Sequence, residues 1–311
     1  MKIIKISLSC FIILFSSCVI GQSLDSVQSN TSNTRAFAMK VDSLRKSGNL
    51  KLLIDECLLA LKSDSCNPKV YYYLASTYSL VGNSDSAFIF LKKTITLDSS
   101  INYLTNPDFY SLINTIVWDS IQTIKVKHYS ENGRKVKNID LAKQLWKIKL
   151  MDQAFYYHSQ IYPEKKEYYW EIKDSLNAAN LKQIVAILDA YGWPKISLVG
   201  EEASSAVFLV IQHSDLSIQE KYLPHMEIAV SENEAKKSSL AYLIDRINIA
   251  KGGKQIYGTQ MAFDNETGQV YFDYNNLEDI EKVNLRRKEM DLGPIEDYVA
   301  LWGILWDPSE N

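Results

Sequence analysis

The stretch GWPKISLVGEEASSAVFLVIQHSD, residues 192–215, decides how the second half of the chain is read. Its centre, 206–211, is six apolar residues in a row that run directly into Gln212 and His213. Val207, Phe208, Val210 and Ile211 would suit a strand covered on both faces. No Gly or Pro interrupts 201–213, however, and that length favours a helix. Six successive apolar residues at about 100° each cover the whole circumference, so such a helix has to be buried all round. Glu201 and Glu202 then fall in its first turn, where carboxylates meet the positive end of the helix dipole.

Toward the C-terminus, Ser217 and Glu220 form a capping-box pattern for a following helix, which Pro224 either kinks or restarts. Leu240, Leu243, Ile244 and Ile247 give a third helix its apolar stripe, ended by Gly252-Gly253. Residues 254–263 and 269–274 read as two strands joined by the turn at 264–268. Alternation would place Gln255, Tyr257, Thr259 and Met261 on one face and Ile256, Gly258, Gln260 and Ala262 on the other. Gly258 inside the first strand implies a bulge or a close approach, which puts Gln260 beside a cleft. Gly293-Pro294 separates two last helices, and 298–306 is too short to cross a membrane.

Toward the N-terminus, 141–191 carries two or three helices with Tyr156, Tyr157, Tyr168, Tyr169 and Trp170 along them. The polar, basic stretch at 122–140 reads as a solvated connector. Before it, Gly48-Asn49 and Gly82-Asn83 lie 34 residues apart, each between two helical patterns. That period resembles tetratricopeptide repeats. The second unit carries the resemblance in Tyr71, Leu74, Ala75, Tyr78, Gly82, Ala87 and Leu91. The first keeps Leu44, Gly48 and Ala60 but has Lys40 at an apolar position. A third unit would need a glycine near Ile116, so the array at 36–121 ends in a closing helix. About three units are needed for independent stability, so these two must lean on the rest of the chain.

Residues 1–21 read as an export leader: Lys2 and Lys5, the apolar run 6–15, then Val19-Ile20-Gly21 as a cleavage site. Cys18 offers lipid attachment as the alternative. A Ser- and Asn-rich tether, 22–35, follows, and 307–311 is a tail. Cys57 lies on an apolar helical stripe and reads as a buried thiol, Cys66 as a free thiol in the turn behind it, with a disulfide between the two as the alternative. The 311 residues are 46% apolar and 23% charged, as in an ordinary globular protein. A net charge of -3, or -5 without Lys2 and Lys5, gives no basic footprint for nucleic acid or an anionic membrane.

From about 141 to 306 the chain resembles the domain of unknown function 6624 family, through GWPKISLVGEEAS, LVIQHSD, AYLIDR, QIYGTQ and LRRKEMDLGPIEDY in that order. The resemblance implies an exported protein that can carry helical repeats in front, and no particular activity. The family also tends to carry an Asp-Gln pair followed by an arginine; Asp152-Gln153 stands here without the arginine.

No G-x-S-x-G elbow, P-loop, H-E-x-x-H, G-x-G-x-x-G or Cys-x-x-Cys occurs, and no two of the four histidines are spaced for a metal. Neither a metal nor a cofactor is expected. The candidate site is polar groups beside apolar ones. Asp245 and Arg246, about 100° apart on one helix, cannot neutralise each other and must look to groups such as His213 and Gln260. His213 as general base with Asp245 as its orienter would be catalytic. Gln212, Arg246, Tyr257, Gln260 and Arg286 would bind a ligand, with either arginine clamping a small anion. The same groups would serve equally in a hydrogen-bond network that docks the helices on the hairpin. The expectation is a mainly α protein: helical hairpins that bind a protein or peptide, then an α-rich α+β domain with one small β-hairpin. Its function reads as binding or scaffolding in the cell envelope, periplasmic or secreted, with a hydrolase as the alternative.

Overall fold

The computed structural model describes residues 25–98, 102–131, 136–264, 267 and 269–308. The expected leader at 1–21 and both readings of its processing lie outside these residues. Four helices come first: α1 (Asp25–Lys46), α2 (Leu50–Ser63), α3 (Pro68–Leu80) and α4 (Ser84–Leu97). They pair as two hairpins closed by the same turn. Gly48 and Gly82 adopt φ of 71° and 78°, a left-handed conformation that a Cβ opposes. The next amide reaches back each time, Asn49 to the Leu44 carbonyl and Asn83 to that of Tyr78, both at 2.9 Å. This closes the helix in the manner of a Schellman motif. Ala75 and Ala87 are fully buried where α3 and α4 meet, and Tyr78 stacks on Phe90 at 5.5 Å.

Three N-terminal expectations need correction. The tether expected at 22–35 is helical from Asp25, because once Phe37 and Leu44 dock on the cluster of Val41, Leu53 and Leu74, extending the helix needs no new nucleus. The expected connector at 122–140 is largely α5 (Ile116–Glu131), which follows two 3-10 turns and buries Ile121, Lys125 and Val126. Lys125 donates to the Asp98 carbonyl and lies 5.1 Å from the Tyr103 ring centre; burial pulls its pKa down to about 8. Cys66 is in a disulfide, so the free turn thiol is not found. Cys57 is the buried free thiol, its pKa pushed up to about 12 by desolvation.

The remaining helices are α6 (Ile139–Gln153), α7 (Tyr156–Ile161), α8 (Lys166–Tyr191), α9 (Ile196–Val199), α10 (Glu201–Gln212), α11 (Leu216–Ser231), α12 (Lys237–Ala250), α13 (Val283–Glu289) and α14 (Ile295–Ala300). The deciding stretch is a helix: α10 is central, packed on α6, α8, α11 and α12. Ala206, Val207 and Ile211 are fully buried, and only Leu209 is partly open. One continuous core runs from Ala75 and Leu91 on the second hairpin through Trp146 to Leu243 and Ile247 on α12. The cap of α11 is Asp215, whose carboxylate accepts from the Ile218 amide at 3.0 Å, not Ser217.

The hairpin is much shorter than its pattern suggests. Strands β1 (Ala262–Phe263) and β2 (Val270–Tyr271) pair antiparallel, Ala262 with Tyr271 and Phe263 with Val270. Residues 254–261 form no ladder, because a buried side chain takes the hydrogen bonds that one would have used. The protein is thus mainly α with a single small sheet among the described residues. No described helix is long and apolar enough to cross a membrane.

Candidate ligand-binding cleft

Asp245, completely buried on α12, organises the loop at 255–260. Its Oδ1 accepts from the amides of Ile256 (2.7 Å) and Tyr257 (3.0 Å), and its Oδ2 from the amide and hydroxyl of Thr259, both at 2.9 Å. Burial lifts the carboxyl above the usual carboxylate range, and these donors oppose that shift. Gln255 closes the loop on itself: its amide donates to the Gln260 carbonyl at 3.0 Å, and its Oε1 accepts from the Gln260 amide at 2.8 Å. Gly258 sits at the crowded point with φ of 64°, where a Cβ would come within 3.0 Å of Ile295 Cδ1 and 3.2 Å of Phe272.

Two arginines hold the loop from the other side. Arg287, 2% exposed, donates to the carbonyls of Gly293 (2.7 Å) and Tyr257 (2.8 Å) and lies 5.2 Å from the Tyr298 ring centre. Arg286 donates to Ile256 O at 2.7 Å and to the carbonyls of Glu278 and Asp279. The expected anion clamp at Arg286 is therefore a loop fastener outside the cleft lining, and the Tyr257 side chain is likewise absent from that lining.

Between α10, α12 and this loop lies a cleft of about 630 Å³. Ser238, Tyr242 and Arg246 recur every four residues, so one face of α12 floors it over about 12 Å. Gln212, Gln260 and Gln153 reach in from α10, the loop and the end of α6, and Phe263 and Trp302 line it while remaining 59% and 47% exposed. Arg246 donates through Nη1 to the Gln212 carbonyl and through Nη2 to Gln260 Oε1, both at 3.0 Å. Burial pulls the guanidinium below its ordinary pKa. Among the described residues no carboxylate pairs with it, and its Nε is buried without a partner. The Gln212 side chain makes no hydrogen bond with the described residues although the residue is only 8% exposed. Of the five residues expected to bind a ligand, Gln212, Arg246 and Gln260 line this cleft, and Tyr257 and Arg286 do not.

His213 goes elsewhere. Its expected partner Asp245 is fully engaged by the loop, and its Nδ1 instead lies 3.2 Å from Asp152 Oδ1. Asp152 also accepts from the Gln153 amide at 2.6 Å. Burial alone would raise the Asp152 carboxyl; the hydrogen bond and charge of His213, helped by Gln153 and Lys173, outweigh it and hold the carboxyl below the usual range. His213 is a third exposed and does not line the cleft. Asp152 and Gln153 link its ring to the cleft. Sequence reasoning missed Gln153, Ser238, Tyr242 and Trp302 as lining residues. The Asp-Gln pair was visible, but nothing local joined it to a helix some sixty residues on. Among the described residues no three His, Cys, Asp or Glu side chains gather to hold a metal.

Residues 169–306 match the model of a family of unknown function (DUF6624). The match begins later than the 141 expected from resemblance. It takes in α10, α12, the loop and Trp302, and leaves Asp152 and Gln153 outside. No curated protein and no solved structure matches the chain.

Proposed function

We propose that this chain is an exported binding protein of the cell envelope whose cleft receives a small anionic ligand at Arg246. The observation that carries the reading is a partly buried guanidinium that no carboxylate of the described residues pairs with, beside a Gln212 amide that makes no hydrogen bond with them. A guanidinium nitrogen buried without a partner is costly until something pairs with the group, and an anion held there that also accepts from Gln212 would pair with both side chains. The tetratricopeptide-like hairpins of α1 to α4 would engage a protein or peptide. Export rests on the leader at 1–21, with anchoring through Cys18 as its variant.

Hydrolysis, with His213 as base, is the weaker reading. The imidazole faces Asp152 beside the cleft instead of a group within it. The test is calorimetry and thermal shift of the purified protein against small anions, with Arg246→Met beside it. Binding that disappears in the variant supports the proposal. A protein that binds no anion, or an Arg246→Met variant that binds as well as the parent, sinks it.

A further inference from the structure

Resting on that reading of Arg246, we infer that the ligand is an acidic sugar, a glycan fragment whose carboxylate meets Arg246 and whose ring lies against the aromatic edge formed by Trp302 and Phe263. Charge comes first. Among the described residues Arg246 is the only charged side chain that lines the cleft. Each of its terminal nitrogens makes one bond to the protein and so retains a second N–H. Two protons and one positive charge match a carboxylate. A phosphate, with a charge of about -1.5 to -2, would leave negative charge uncompensated in a half-buried site.

The neutral groups then separate a sugar acid from a simple anion. The Gln153 amide nitrogen gives one N–H to Asp152 and keeps a second, and its carbonyl accepts no hydrogen bond from the described residues and can serve the cleft. Gln212 offers both a carbonyl and an amide NH2 group, and neither has a partner among the described residues. Ser238 and Ser239 line the same floor with hydroxyls that make no hydrogen bond with the described residues. A site with carbonyl acceptors needs a ligand that donates, and a carboxylate or phosphate at neutral pH mostly accepts. Hydroxyls do both, so a polyhydroxylated acid satisfies the whole set.

Shape and apolar surface select among hydroxy acids. The floor extends about 12 Å along α12 from Ser238 to Arg246, longer than a compact hydroxy acid needs. Phe263 and Trp302, both large and substantially exposed, border it. The C–H face of a pyranose is flat and apolar and can cover such a ring, whereas an aliphatic hydroxy acid has no such face. The volume, about 630 Å³, lies within the range of small-molecule sites.

The test is isothermal calorimetry of the purified protein with five probes: galacturonate, digalacturonate, cellobiose, glutarate and inorganic phosphate. The sugar acids should bind, digalacturonate more tightly, and at least tenfold more tightly than cellobiose, glutarate or phosphate. Trp302→Ala should weaken digalacturonate about tenfold and leave the free protein folded, the lost hydrogen bond from Trp302 to Tyr298 lowering its melting temperature only slightly. Gln212→Met, of equal length, should do the same should Arg246→Met fail to fold. Glutarate or phosphate binding as well as the sugar acids would overturn the sugar class and leave the anion site standing. Cellobiose binding as well as digalacturonate would overturn the role of the charge. If no probe binds, both readings fall. An unchanged digalacturonate affinity in Trp302→Ala would overturn the stacking assignment.

Discussion

The hairpin of α3 and α4 and the loop at 255–260 both turn the chain sharply, and they satisfy its backbone in opposite ways. In the hairpin the groups at the turn are paired by neighbouring backbone, Asn83 reaching back to Tyr78 and Gly82 to Ser79. Its stability comes from apolar contacts of Leu74, Ala75, Ala87 and Leu91. In the loop three amides and a hydroxyl are paired by one distant carboxylate, Asp245, and the carbonyls of Ile256 and Tyr257 by Arg286 and Arg287. The first arrangement tolerates change, since a lost contact leaves a void. The second does not, because removing its hub leaves several buried donors without partners at once. A floor for a binding cleft gains from that rigidity.

The largest effect should therefore fall on Asp245. Asp245→Ala strands three backbone N–H groups and one hydroxyl, each costing about 1–3 kcal/mol, so a loss above ~4 kcal/mol is expected. Leu74→Ala, at a residue with no exposure, should cost about 2–5 kcal/mol. Urea unfolding of both variants decides the matter. An Asp245→Ala variant that loses less than about 2 kcal/mol would show that the loop is fastened by something other than the carboxylate.

The same contrast explains what was legible in the sequence. The 34-residue glycine spacing and the run 206–211 are local periodic signals, and the elements they imply are α1 to α4 and α10. The strand expected at 254–261 failed because alternation in Gln255, Tyr257 and Thr259 is what an extended loop also shows. Only a buried aspartate on a different helix tells the two apart. The pairing of Asp152 with His213 was hidden for the same reason: it joins the end of α6 to the end of α10 through packing, with no shared periodicity. Arg246, Gln212 and Gln260 were legible because two lie beside apolar stripes and the third beside a glycine that a strand would not carry.

Two glycines sharpen the comparison at smaller scale. Both have positive φ, but a Cβ at Gly82 would meet nothing within 4 Å, whereas at Gly258 it would press on Ile295 and Phe272. Gly82→Ala should cost only the conformational strain, about 1–2 kcal/mol. Gly258→Ala should add overpacking, for a total of about 2–4 kcal/mol. Equal melting-temperature losses would mean that the crowding relaxes without cost.

Buried carboxylates divide along the same line and predict opposite pH responses. On the N-terminal side Asp108 is pushed up to about 6 by burial, against the pull of its ion pair with Arg45. Its contribution is fully present below the unfolded value near 3.9 and is lost as pH rises through about 6. Asp152 is held low by His213 after burial is offset, so its contribution is present above that unfolded value and lost as pH falls through the lowered native one. From pH 4 to pH 7, Asp108→Asn should gain about 1–3 kcal/mol relative to the parent. Asp152→Asn should instead lose most at pH 7 and recover in acid. Urea titrations that moved both variants in the same direction would remove the distinction.

The smallest stability effect is expected at Gln212, and there it separates a cleft from a core. A buried amide that belonged to a structural network would cost about 1–3 kcal/mol to replace, because its partners would be left unpaired. The Gln212 side chain has no such partners among the described residues, while its backbone carbonyl, which does accept from Gln219 and Arg246, survives any substitution. Gln212→Met keeps the length and removes a polar group that is paired only when a ligand is present. The free protein should therefore lose less than about 0.5 kcal/mol or gain slightly, as ordinary isosteric changes do. The ligand-bound protein should lose the stabilisation that the ligand had added, by mass action. A Gln212→Met protein that melts several degrees lower without any ligand would place the amide in the fabric of the fold and return the cleft to a packing defect.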